Sequence, residues 1–231
     1  MLSQSRRNRV ALSEVSPKSE LRAHIRSVRR AMPGPVRATA DRCLAVAAAD
    51  LVRQAARQAM ARTVAAYVPL EFEPGGAELV PALAAAADRL LLPVLLDDND
   101  LDWAEYPEHP QAHGSFAPGR FGLLEPTGPR LGREAVGGAD LLLLPGLAVS
   151  EDGTRLGQGG GSYDRVLRRV RAPTVVLLYP GEFRADVPAE AHDQRVCGAL
   201  EGYDTAHVHW TKGCPMPQHW HSKYRSANDG G

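Results

Sequence analysis

The chain has 231 residues, 44% of them hydrophobic, and its 27 Lys plus Arg balance 27 Asp plus Glu for a net charge of zero. A chain of this length buries roughly 70% of the surface that its unfolded form exposes, so one sizeable core is expected. The balanced charge creates no global field toward nucleic acid or anionic membrane, which excludes a basic nucleic-acid-binding surface as the organising feature.

Three cysteines, Cys43, Cys197 and Cys214, are odd in number and include no CxxC pair. That usage argues against a disulfide framework or a cysteine zinc site and for a reducing compartment. The first residues, MLSQSRRNRVALSEV, are polar, and no run of about 18 apolar residues occurs, so a soluble, cytoplasmic protein is expected.

Residues 1–16 read as a flexible N-terminal tail, residues 17–206 as a single domain and residues 207–231 as an irregular C-terminal tail. Within the domain, residues 17–31 (PKSELRAHIRSVRRA) open with Ser16 as N-cap and Pro17 at the first helical position, and space Leu21, Ile25 and Val28 as an apolar helix face. A turn at residues 32–35 precedes a second, Ala-rich helix at about 39–58. Short apolar runs at 63–68, 89–96, 141–144 and 174–179 then alternate with helical stretches at 77–87 and 163–171. Such alternation predicts an α/β fold, a mostly parallel central sheet with helices on both faces in a Rossmann-like three-layer arrangement. The runs Leu141-Leu142-Leu143-Leu144 and Val175-Val176-Leu177-Leu178 do not alternate with polar residues, as suits central strands buried on both sides. Ligands of such folds gather at the carboxyl ends of the strands.

The segment Gly157-Gln158-Gly159-Gly160-Gly161-Ser162-Tyr163-Asp164-Arg165 joins a strand region to a helix. Glycines remove the Cβ atoms that keep a ligand from the backbone and permit positive φ, so successive N–H groups and the following helix start form an anion cradle. Arg155 is placed to supply a charge-assisted bond to phosphate or carboxylate, and Asp164 an oxygen ligand for magnesium. A glycine cluster alone reads more simply as a flexible surface loop; its place between buried strand and helix favours the cradle. No GxxxxGK[ST] is present, and Ser162 breaks the GxGxxG spacing, so neither a P-loop kinase nor a Rossmann dehydrogenase is indicated.

Residues 144–149 (LPGLAV), 152–157 (DGTRLG) and 159–165 (GGGSYDR) closely resemble the signature of the 5-formyltetrahydrofolate cyclo-ligases, or 5,10-methenyltetrahydrofolate synthetases. Residues 18–22 (KSELR), 67–74 (YVPLEFEP), Leu92-Pro93 and Ala191-His192-Asp193 match in the same order, so the resemblance covers about 17–196. It implies ATP- and Mg²⁺-dependent conversion of 5-formyltetrahydrofolate to 5,10-methenyltetrahydrofolate, releasing ADP and phosphate through a phosphorylated formyl intermediate. It further implies a monomer acting on small molecules in one-carbon metabolism, with neither nucleic acid nor membrane as partner. Catalysis of this kind needs positioning and charge stabilisation more than a protein nucleophile.

By the resemblance, Arg155 and Asp164 are the catalytic residues. ATP falls to Lys18, Arg22, Arg155, Leu156, Gly157, Gln158, Gly159, Gly160, Gly161, Ser162 and Tyr163. Folate falls to Val68, Glu73, Gly160, Gly161, Ser162 and Tyr163, and magnesium to Asp164 and Asp193. From spacing alone, Lys18 and Arg22 read as a solvated face of a basic helix, Glu73 as a turn carboxylate before Pro74, Asp164 and Asp193 as helix-start or turn aspartates, and Tyr163 as a packing aromatic. His192 carries little information by itself.

Three departures from the family pattern stand out. Ser162 occupies the place of a Tyr, Ser150 that of an acidic residue, with Asp152 nearby, and residues 197–208 lack the expected apolar strand ending in Thr-Pro. The alternatives are a related ATP-dependent enzyme with a different acceptor, or a folate- or nucleotide-binding protein with reduced activity. His207, His209, Cys214, His219 and His221 match no structural zinc pattern and read as part of a polar tail.

Overall fold

The structure, a computed structural model, describes residues 16–58, 61–191 and 193–212. Helix α1 (Pro17–Ala31) starts as its sequence dictates: the Ser16 hydroxyl accepts the N–H of Ser19 at 3.3 Å, and Pro17 fills the first turn. Its buried face differs from the expected apolar one. Lys18, Ile25 and Arg29 are buried, Leu21 is half-buried, and Val28 is exposed. Two cations therefore sit where the apolar pattern placed Val28, because carboxylates and carbonyls from distant segments meet them there.

Helix α2 (Gly34–Arg57) begins five residues before the expected start, with Pro35 inside its first turn rather than in a loop. Its inner face is Ala40, Leu44, Ala45, Ala48, Leu51, Val52 and Ala55. Strand β1 (Thr63–Ala65) is shorter than expected. The helix expected at 77–87 is a 3₁₀ turn (Gly76–Glu78) followed by α3 (Leu79–Ala84). Then come β2 (Arg89–Leu95), β3 (Leu101–Glu105), β4 (Phe116–Pro118), β5 (Leu124–Pro126), β6 (Leu141–Pro145), β7 (Ala148–Ser150) and β8 (Arg155–Leu156). Helix α4 (Ser162–Leu167) and the strands β9 (Thr174–Leu178), β10 (Phe183–Arg184), β11 (Gly198–Gly202) and β12 (Ala206–Trp210) complete the order.

The main sheet runs β12-β11-β9-β6-β1-β2-β3. Its inner five strands are parallel, and β3 and β12 add antiparallel edges. Successive side chains of a strand point to opposite faces, which explains the unbroken leucine run of β6. Leu141 and Leu143 join Leu44, Val52 and Leu83 beneath α2 and α3, while Leu142 and Leu144 join Val136, Val166 and Leu167 beneath α4. The expected α/β architecture, with a mostly parallel sheet covered on both faces, is the one observed.

The C-terminal segment is the main correction. Residues 198–202 form β11, paired in parallel with β9, despite lacking the expected apolar pattern. Residues 207–210, expected to start an irregular tail, belong to β12, which pairs antiparallel with β11. Cys43 is a free thiol and Cys197 is disulfide-bonded, contrary to the expectation that the cysteines are unlinked. No helix among the described residues is long and apolar enough to cross a membrane. His192, Cys214, His219 and His221 lie outside the described residues.

Candidate active site

At the carboxyl ends of β1, β2 and β6 lies a cavity of about 550 Å³. Its polar wall is built by the glycine loop and β8. Val68 and Glu73, on the turn after β1, form a second side, and Phe121 and Leu123, from the connection between β4 and β5, with Leu124 at the start of β5, form a third. The fold thus gathers Val68, Glu73, Arg155, Gly157, Gln158, Gly159, Gly160, Gly161, Ser162, Tyr163 and Asp164 around one space.

Arg155 is the centre of the polar wall. The residue is 5% exposed, and its guanidinium donates through Nη1 to the Pro145 carbonyl at 3.1 Å and through Nη2 to Asp164 Oδ1 at 3.1 Å. Its Nε is buried without a hydrogen-bond partner, a donor that costs about 1–3 kcal/mol when left unmade. The ring of Tyr163 lies 5.9 Å from the guanidinium carbon and packs against both core clusters, the role expected from aromatic burial.

One loop glycine has a steric reason on its own side of the cavity. A Cβ at Gly157 would stand 2.7 Å from Arg155 Nη1, so any side chain there would displace the guanidinium. Gly159 and Gly161 adopt φ of 105° and 73°, conformations that glycine takes without strain. Helix α4 spans only Ser162–Leu167, shorter than the expected 163–171, so most of the donor capacity of the cradle rests on the loop backbone.

The basic residues of α1 reach this loop from outside the cavity. Lys18 donates to both carboxylate oxygens of Asp193, at 2.9 and 2.6 Å, and Nζ is 3.5 Å from Glu190. Arg22 Nε donates to the Gly157 carbonyl at 2.9 Å, and Arg26 donates to the backbone and side-chain oxygens of Gln158 at 2.7 and 2.9 Å. Lys18 is therefore not part of a solvated face.

Glu73 is 7% exposed. Its carboxylate accepts Leu70 N–H at 3.1 Å and Gln158 Nε2 at 3.4 Å. Burial pushes its pKa above the ordinary carboxylate range, with the two hydrogen bonds opposing. A buried carboxylate facing a cavity is suited to accept N–H donors from a ligand.

One expected residue, Leu156, points away from this space, and both expected metal ligands are engaged by cations. Leu156 is buried among Ile25, Leu147, Ala148 and Val187, and only its backbone belongs to the loop. Asp164 pairs with Arg155 and Asp193 with Lys18, and among the described residues no group of three or more His, Cys, Asp or Glu forms a metal cage. Magnesium commonly takes one or two carboxylates and completes its shell with phosphate and water, a demand that this donor set fits only together with phosphate. Ser150 donates its hydroxyl to Asp152 Oδ1 at 2.6 Å; the same oxygen accepts Thr154 N–H at 3.0 Å, so Asp152 organises the β7–β8 turn.

Sequence reasoning missed the β4–β5 hairpin. Its strands are three residues each, too short for periodicity. The signal available was the pair Gly119 and Gly122 around Phe121. Glu125 docks the hairpin by accepting Leu95 N–H at 2.9 Å, and a Cβ at Gly119 would meet that Glu125 side chain at 2.4 Å. Phe121 is 74% exposed and holds φ 59°, unusual for a residue with a large side chain.

The chain matches the 5-formyltetrahydrofolate cyclo-ligase family over residues 14–201. A 5-formyltetrahydrofolate cyclo-ligase of Mycolicibacterium smegmatis is 37% identical over 183 residues, 76% of this chain and 89% of that protein. The Haemophilus influenzae protein of the same name is 26% identical over 80% of this chain and 97% of its own length. Among solved structures, the NMR structure of Aquifex aeolicus 5,10-methenyltetrahydrofolate synthetase aligns with a TM-score of 0.67 at 25% identity, covering 89% of this chain and 98% of that one. The Mycoplasma pneumoniae 5,10-methenyltetrahydrofolate synthetase shares the fold at a TM-score of 0.58 and 20% identity, over 78% of this chain and 94% of its own. Residues 14–201 span both the glycine loop and the Glu73 turn, and this chain belongs to the 5-formyltetrahydrofolate cyclo-ligase family.

Proposed function

We propose that the protein converts 5-formyltetrahydrofolate to 5,10-methenyltetrahydrofolate with consumption of ATP and release of ADP and phosphate. The observation that carries this reading is one cavity with two unlike polar walls: the buried Glu73 carboxylate on one, and the Arg155 guanidinium with the glycine loop on the other. Glu73 accepts N–H groups of the pterin edge, with Val68, Gly160, Gly161, Ser162 and Tyr163 around the ring. The loop N–H groups and the Arg155 guanidinium receive phosphate oxygens. Lys18 and Arg22 add positive charge behind the loop.

In this reading the formyl oxygen attacks the γ-phosphate, ADP leaves, and attack of the neighbouring nitrogen at position 10 on the formyl carbon closes the ring and expels phosphate. Arg155 stabilises charge on the transferred phosphoryl group. A magnesium ion held by Asp164 and Asp193 with the phosphates would neutralise further charge. The site requires no covalent protein intermediate.

The test combines two measurements on the purified protein. Thermal shift should show stabilisation by ATP-Mg²⁺ and a further increment with 5-formyltetrahydrofolate, and absorbance should report an ATP-dependent methenyl product. Stabilisation by nucleotide alone points to a different acceptor. Folate binding without product identifies a binding protein, and either result rejects the proposed reaction.

A further inference from the structure

Glu73 and Arg155 stand on different segments, and their separation must be set by something other than the cavity itself. Arg29, 2% exposed, does not line that cavity but reaches both segments from behind. Its Nε and Nη2 donate to the two Glu182 carboxylate oxygens, each at 2.7 Å. Nη2 also donates to the Gly146 carbonyl at 2.7 Å, and Nη1 to the Phe72 carbonyl at 3.4 Å. Gly146 follows Pro145, whose carbonyl holds Arg155, and Phe72 precedes Glu73.

The pair has its own support. Glu182 accepts Tyr179 N–H at 2.9 Å, and the Tyr179 hydroxyl donates to Asp41 at 2.7 Å and lies 3.4 Å from the Glu73 carbonyl. Glu201 Oε1 accepts the N–H groups of Gly181, Glu182 and Phe183 at 2.8, 3.1 and 3.2 Å, fixing the turn that carries Glu182. Burial works against the Arg29 charge, yet the Glu182 carboxylate at bonding distance holds its pKa above the ordinary value. A buried ion pair contributes little to stability compared with well-packed apolar residues, so stability alone gives weak grounds for this arrangement.

We propose that the Arg29–Glu182 pair is a positioning device for the reaction, setting the spacing between the Glu73 carboxylate and the Arg155 guanidinium without touching either substrate. The inference rests on the cyclo-ligase reading of the cavity. Aligning two bound reactants is where small displacements cost most, because an error of about 1 Å in a near-attack geometry lowers rates by as much as about 100-fold.

The test uses the full chain carrying Arg29→Met with Glu182→Gln, which removes both charges and keeps an acceptor for Tyr179 N–H. The expected result is a folded protein with native near-ultraviolet circular dichroism, kcat reduced by about 10- to 100-fold and KM for both substrates within about threefold of wild type. Arg29→Lys, which keeps the charge but not the simultaneous bonds to Gly146 and Phe72, is expected to fall between the two in kcat. It carries the test if the double variant does not fold. Val52→Ala, a buried α2 change away from the cavity, serves as the control for lost stability and is expected to keep wild-type kcat well below its melting temperature.

A folded double variant, or a folded Arg29→Lys, with kcat within about twofold of wild type overturns the proposal. So does a rise in KM alone, which would mark uniform binding rather than alignment. Wild-type protein that forms no methenyl product overturns the cyclo-ligase reading and the positioning role together.

Discussion

The glycine-loop wall of the cavity and the β4–β5 wall opposite it are built on different principles. On the loop wall and behind it the charged side chains are already engaged: Arg155 with Asp164 and Pro145, Lys18 with Asp193, Arg22 with Gly157, and Arg26 with Gln158. On the hairpin wall Phe121 and Leu124 expose large apolar surface, and Phe121 holds a left-handed backbone conformation. The contrast separates two tasks. Charge is arranged before any ligand arrives, which avoids reorganisation when charge develops on a bound group. Apolar area is left uncovered, and a bound ring would supply the burial that solvent does not.

The largest expected effect breaks the charged wall. Arg155→Ala removes the cavity's buried guanidinium and leaves Asp164 without its partner, so kcat should fall by about 100- to 1,000-fold while the protein remains folded. Steady-state rates of methenyl product formation measure it, and wild-type turnover in the variant would show that this wall is not where the phosphoryl group reacts.

An intermediate effect tests Glu73, between the two walls. Burial raises its folded-state pKa above the ordinary 4.5, so the folded protein holds a proton over a pH window where the unfolded chain has released it. The stabilisation from that proton is complete below the unfolded value and is lost as pH rises through the folded value. Glu73→Gln removes this loss. Its melting temperature should exceed that of wild type at about pH 8 and converge with it at about pH 4. Affinity for 5-formyltetrahydrofolate should drop by about tenfold in the same variant, since a neutral amide replaces one of the two acceptor oxygens of the carboxylate with an NH₂ donor. Equal melting temperatures at both pH values would contradict the burial argument, and unchanged affinity the pterin assignment.

The smallest effect sharpens the apolar wall. Phe121→Ala should raise KM for the folate substrate by about three- to tenfold at nearly constant kcat. The melting temperature should move by no more than about 2 °C, because the ring is largely exposed. A fall in kcat as large as that of Arg155→Ala would erase the distinction between the walls.

The sequence made the charged wall readable because its residues are close together in the chain: Arg155, the glycines and Asp164 lie within ten positions. The leucine and valine runs revealed the parallel core for a similar reason, since burial on both faces leaves a local imprint. The buried face of α1 left none. Lys18 and Arg29 look solvent-facing until Asp193, Glu182 and Gly146 arrive, and those partners lie 117 to 175 residues away. β11 was obscured because pairing with β9 and β12 on both sides, rather than its own composition, makes residues 198–202 a strand. The β4–β5 hairpin was too short to show a period.

The long reach of α1 has a consequence for biosynthesis. The first helix leaves the ribosome well before the segments that neutralise its Lys18 and Arg29, which are separated from Asp193 and Glu182 by 175 and 153 residues. During that interval its docking face lacks both carboxylates, so α1 cannot seat in its final place. The rear support of the cavity therefore closes only when nearly the whole described domain has been made.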